Sequence, residues 1–181
     1  MSQTYTVVLL VEQALSDADA AQVRSLHEGL DDPEQHVHYH VLLPVEDAAA
    51  RIEASMGAIS GDTFSAPRMP LDPDAVEAVR EESERESSDA LAATLAGLRK
   101  AGATADGTTV EEDPIDALSA AVTELDAREA IILTRSHVVA EFFHLDWTSR
   151  ARRKIGVPLL HLLEHENFDE QAGSGEGVTG L

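Results

Sequence analysis

Three histidines, His36, His38 and His40, alternate with other residues in the run HVHYHVLLPV. In an extended strand, successive side chains point to opposite faces, so these three share one face with neighbours roughly 6–7 Å apart. That spacing suits a pair of imidazoles that chelates zinc or nickel. No third carboxylate ligand is evident from the sequence, however, and a strand inside a sheet would carry helices over these side chains. The expectation is therefore buried or rim histidines and no metal ion. A second group, Ser136, His137, His144 and Asp146, brings acid–base types into one stretch. Ser136 lacks the Gly-x-Ser-x-Gly frame that strains and exposes a nucleophilic serine. With neither an activated nucleophile nor a metal-bound water, these residues read as loop surface and the chain is not expected to be an enzyme. The absence of cysteine excludes disulfides, thiolate metal sites and cysteine nucleophiles.

Anion binding is the other chemistry on offer. Arg135, Arg150, Arg152, Arg153 and Lys154 are five of the 13 basic residues, gathered into twenty positions of an otherwise acidic chain. At a helix start beside a crevice, guanidinium forks and the helix dipole can hold an anion. Arginine and lysine are also ordinary on the solvated face of a helix, partnered by surrounding carboxylates. The same stretch has no glycine between Ala130 and Lys154. A loop that cradles phosphate needs its backbone N–H groups close to the anion, and glycine is what permits that approach.

These residues must be positioned by secondary structure, and the hydrophobic pattern indicates which elements do so. Residues 5–11 (YTVVLLV), 36–45, 130–134 (AIILT) and 157–163 (VPLLHLL) are apolar or β-branched runs suited to strands covered on both faces. Residues 103–111 form a weak polar strand, expected at an edge. Ser16 and Asp17 offer an N-cap before a helical stripe of Ala20, Ala21, Val23, Leu26 and Leu30. Pro73 near its start and Gly102 beyond its end bound a long helix over 72–100. Its middle, REESERESSD, reads as polar all round and not tightly packed, whereas Leu91, Leu95 and Leu98 should dock on the sheet. Pro114 opens a further helix with Ile115, Leu118, Ala121, Val122 and Leu125 on one face, and a last short helix spans about 148–155. Residues 46–70 read as a flap and 166–181 as a flexible tail around a single domain, 1–165. Such alternation implies an open five-stranded parallel sheet with helices on both faces. Its ligand crevice lies past the carboxyl ends of the strands, here lined by Glu12 and by the loop over 134–148.

Over residues 5–163 the order of elements, together with Glu112-Asp113-Pro114, AIILTRSH and GVPLLHLL, resembles the universal stress proteins. That resemblance implies an α/β fold of the flavodoxin-like or adenine nucleotide alpha hydrolase-like kind. ATP-binding members carry glycine, two residues, glycine, nine residues, glycine and then Ser or Thr. At that spacing this chain has Thr134, His137, Trp147 and Thr148, so only the final hydroxyl residue matches. Glu12 stands where the family usually has an aspartate that contacts the nucleotide. The resemblance thus implies the family's scaffold without its ATP loop, and Phe142, Phe143 and Trp147 read as hydrophobic bulk that fills the emptied pocket. It also implies a homodimer through the last strand. The apolar Val157, Leu159, Leu160, Leu162 and Leu163 agree, because an exposed edge of this kind is a pairing template.

With 34 acidic against 13 basic residues the formal charge is −21, which disfavours nucleic acid and anionic membrane surfaces as partners. The apolar run at the start is too short for a signal peptide core or a spanning helix, so a cytoplasmic protein is expected. The function expected is a universal-stress-like regulatory or protective one, without cofactor, exerted through dimerisation and an unidentified protein partner. The alternative is a domain that binds a nucleotide or phosphorylated anion with Glu12, Thr134, Arg135, His137, Thr148 and Arg150.

Overall fold

The computed structural model describes residues 3–29, 35–45, 73–134 and 153–163. The expected flap over 46–70, the loop over 135–152 and the tail over 166–181 lie outside the described residues. Five strands form one sheet: β1 (Gln3–Val11), β2 (Gln35–Pro44), β3 (Thr104–Val110), β4 (Glu129–Thr134) and β5 (Leu159–Leu163). All four pairings are parallel and the spatial order is β3-β2-β1-β4-β5. The α/β class read from the sequence holds. Within that class the order is the doubly wound 3-2-1-4-5 rather than flavodoxin's own 2-1-3-4-5.

Two apolar layers sandwich the sheet. Val7, Leu9, Val11, Tyr39, Val41 and Ala105 face α1 (Asp17–Ser25) and the end of α2 (Pro73–Lys100), which contribute Ala20, Val23 and Leu98. The opposite face, Val8, Leu10, Leu42, Ala130 and Ile132, packs on Ala117, Leu118, Ala121 and Val122 of α3 (Pro114–Glu124). Strands buried on both faces need continuous apolar sequence, which explains why YTVVLLV and AIILT lack an alternating pattern.

Local capping sets where the helices begin. Ser16 Oγ accepts from Asp19 N–H at 3.1 Å and donates to Asp19 Oδ2 at 2.6 Å, which fixes the first turn of α1. Asp113 accepts from both Ile115 N–H and Asp116 N–H at 3.0 Å, with Pro114 in the first turn of α3. Leu125, expected on the apolar face of α3, instead caps its C-terminus and is 39% exposed, because the chain leaves helical geometry there. The second correction concerns α2. Its polar middle packs after all, because Ser83 and Ser87 are buried at helical spacing. Only small side chains let the helix approach the strands closely.

Candidate ligand crevice

The helices after β1 and β3 lie on opposite faces of the sheet, so the layers diverge beside the carboxyl ends of β1 and β4. The two strands remain joined there, with Glu12 N–H donating to Leu133 O at 3.4 Å. Glu12 and Thr134 are thereby placed at the switch point, where open α/β sheets receive ligands. A cavity of about 450 Å³ opens beside it, between the ends of β1 and β2 and the middle of α2. Glu12, Gln13, Leu43, Pro44 and Val45 form its floor, and Ser83, Glu86, Ser87 and Ala90 its helical wall. Further along α2, Thr94 Oγ1 accepts the buried Leu15 N–H at 3.1 Å and ties the β1–α1 connection to the helix. Gly97 continues the close contact, since a Cβ there would lie 3.6 Å from Ala20 Cβ.

On the other side of the switch point, Thr134 Oγ1 lies 2.9 Å from Nε2 of His161 on β5. Burial pushes the His161 imidazole below its ordinary pKa of 6.5, which leaves it neutral at pH 7. This pair presents a hydroxyl held by a neutral ring, with no positive charge for an anion. Lys154, part of the basic cluster, is engaged by Asp116 of α3 rather than turned to the crevice.

No protein-family model matches the chain, and no curated protein does either. Solved structures do. A universal stress protein from Archaeoglobus fulgidus is similar at 15% identity, with a TM-score of 0.52 over 87% of this chain and 92% of that one. A universal stress protein family protein from Arabidopsis thaliana with AMP bound is similar at 12% identity, with a TM-score of 0.50 over 91% and 94%. The fold is that of the universal stress proteins.

In this universal-stress fold, the site residues expected from sequence separate into two groups. Glu12 and Thr134 lie at the switch point as expected. Arg135, His137, Thr148 and Arg150 lie outside the described residues, as do Phe142, Phe143 and Trp147. Three cavity residues were missed in the sequence: Ser83, Glu86 and Ser87. The signal for the two serines is a stripe of small residues, Ser83, Ser87, Ala90, Thr94 and Gly97, spaced four, three, four and three apart on one helix face, and Glu86 lies next to it.

The histidines of β2 sit at the rim. His36 is exposed, while His38 and His40 are partly covered, and Asp106 of β3 supplies the carboxylate that was not evident in sequence. Its Oδ1 lies 2.6 Å from His40 Nδ1 and its Oδ2 3.5 Å from His38 Nε2. Among the described residues, no three His, Asp or Glu side chains are grouped as a metal site. A separate polar network closes the amino end of the sheet. There His27 Nδ1 lies 2.9 Å from the Tyr39 hydroxyl, and its Nε2 lies 3.1 Å from Glu129 Oε2.

Proposed function

We propose that this chain is a universal-stress-like regulatory or protective protein that does not hold ATP in that family's manner. In this reading it works in the cytoplasm without catalysis, through a homodimer and contacts with another protein. The observation that carries the reading is the cavity wall. Among the described residues it contains two carboxylates, Glu12 and Glu86, and no cationic side chain. A triphosphate would meet like charge there, and the sequence after β4 lacks the glycines that bring backbone N–H groups up to phosphate. No helix among the described residues is long and apolar enough to cross a membrane. Mass spectrometry of the small molecules released by denaturing the purified protein tests the reading. No adenine nucleotide is expected, and stoichiometric ATP or AMP would overturn it.

One observation favours a second reading, a nucleotide- or phosphorylated-anion-binding domain. The Arabidopsis protein of the same fold has AMP bound. Here Glu12 and Thr134 would meet the ligand beside Arg135, His137, Thr148 and Arg150. This reading expects Arg135→Ala and Thr148→Ala to weaken AMP binding in calorimetry. It fails if the unaltered protein binds neither AMP nor ATP.

A further inference from the structure

At the amino end of the sheet, His27 is an ionisable side chain held away from water. It is 2% exposed, and both ring nitrogens are engaged, Nδ1 by the Tyr39 hydroxyl at 2.9 Å and Nε2 by Glu129 Oε2 at 3.1 Å. The Tyr39 hydroxyl also lies 3.3 Å from Val23 O, a carbonyl in the last turn of α1. The backbone N–H groups that follow pass this carbonyl by, with Leu26 donating to Gln22 O and His27 to Arg24 O. Tyr39 is therefore the donor placed to satisfy it, as a helix end requires.

Counting protons separates two arrangements. An ionised carboxylate only accepts, so Glu129 takes its bond from an Nε2–H. With that one proton on the ring, Nδ1 is bare, the Tyr39 hydroxyl donates to it, and Val23 O goes without. With a second proton on the ring, Nδ1–H donates to the Tyr39 oxygen, which frees the phenolic proton for Val23 O. The imidazolium then faces Glu129 in a charge-assisted bond. The two arrangements differ by one proton and by one bond to α1.

We propose that proton uptake by His27 is a switch for the end of α1, turning the Tyr39 hydroxyl from His27 Nδ1 to Val23 O and fastening the helix to β2 and β4. The fastened form belongs to the acid side of the range in which histidine exchanges its proton, about pH 5 to 8, and the loosened form to the alkaline side. Groups on each neighbouring element act on this balance. Tyr5 of β1 donates to Glu129 Oε2 at 3.4 Å, and Arg128 stands just before Glu129. Arg24 and Glu28 flank His27 in the chain, and the Arg24 charge reaches Tyr39. On α2, Arg99 is taken up by Ala105 O, and Lys100 by Asp17 at the opposite end of α1.

Nitrogen NMR of the His27 ring in the full chain, followed from about pH 5 to 8, tests this. The ring is expected as an imidazolium at the acid end and as the neutral form with its proton on Nε2 at the alkaline end. The carbonyl carbon resonance of Val23 should move in step. Amides of Leu26, His27 and Glu28, corrected for intrinsic exchange, should be about 3- to 10-fold better protected at the acid end, the scale of one hydrogen bond. Tyr39→Phe removes the hydroxyl, so the Val23 step and the gain in protection should both vanish. A Val23 step that persists in this variant would overturn the proposal. So would a neutral ring with its proton on Nδ1, a ring that keeps one state across the range, or an unmoved Val23 resonance in the unaltered chain. These last three outcomes need no variant and decide the matter even if Tyr39→Phe does not fold.

Discussion

Tyr39 occupies the centre of β2, with its hydroxyl 3.3 Å from Val23 O and 2.9 Å from His27 Nδ1. One phenolic proton cannot serve both partners, so the hydroxyl donates to Val23 O and accepts from a protonated His27 Nδ1, or donates to His27 Nδ1 and leaves Val23 O to weaker contacts. Either arrangement needs the phenol neutral, and burial pushes its pKa up to about 12. The unfolded chain loses this proton near 10.0, so stability from Tyr39 is complete below that pH and declines as pH rises toward 12. Urea midpoints should therefore fall between those values in the unaltered protein. Tyr39→Phe should flatten part of that fall and start about 1 kcal/mol lower at neutral pH, the scale of one hydrogen bond. His161 predicts the opposite flank. Its folded pKa lies below the unfolded 6.5, so the unfolded state binds the proton first and stability drops as pH falls through that value. Unfolding of His161→Asn followed by circular dichroism should show a shallower acid slope, and an unchanged slope would assign it to other groups. Neither network was legible in the sequence. Tyr39 reads as a strand residue, and its partner His27 depends on Glu129, 102 positions away.

Among the elements, α2 shows how a largely polar helix can be built into a core. Its 28 residues span about 42 Å, with the first turns mostly exposed and Leu98 fully buried. Close approach at Thr94 and Gly97 holds it to the β1–α1 connection, while Leu91, Leu95 and Leu98 pack into the core beside the sheet as expected. Thr94→Val keeps the shape but orphans the buried Leu15 N–H, an expected loss of about 1–3 kcal/mol in chemical denaturation, largely restored by Thr94→Ser. The edge strand β3 has a comparable constraint at Gly107. A Cβ there would lie 2.4 Å from Val41 O and 2.8 Å from Val41 Cβ, so Gly107→Ala must push β3 away from β2. The expected cost is about 1–3 kcal/mol, with faster amide exchange concentrated in β3. The strands were legible because burial on both faces leaves an uninterrupted apolar run. Glu12 was legible because topology alone puts the end of the first strand at the crevice. Glu86 and Ser87 were not, because they reach the cavity from an element more than seventy positions later. The pattern that signals helix docking also looks for large apolar residues and passes over serine.

For the whole molecule, the two edges of the sheet are unequal. β3 presents Thr104, Asp106 and Thr108, exposed and polar, with Asp106 held between His38 and His40. That edge is blunted against pairing. β5 presents Leu159, Leu160 and Leu163, each only partly buried within one chain. Self-association through β5 would bury this apolar edge while bringing together two chains of −21 each. Hydrophobic burial and strand pairing favour the dimer, whereas the Coulomb field opposes it, and salt weakens only the second. Sedimentation equilibrium should therefore show a dimer that tightens as sodium chloride rises from about 50 to 500 mM, a range over which the screening length falls from about 14 to 4 Å. Dimers held by ion pairs behave in the reverse way. Leu163→Lys should leave a folded monomer at every salt concentration, because it adds charge at the pairing edge without entering the main core. A monomer at all salt concentrations in the unaltered protein would discard the β5 interface, and a dimer that loosens with salt would show the association to be electrostatic.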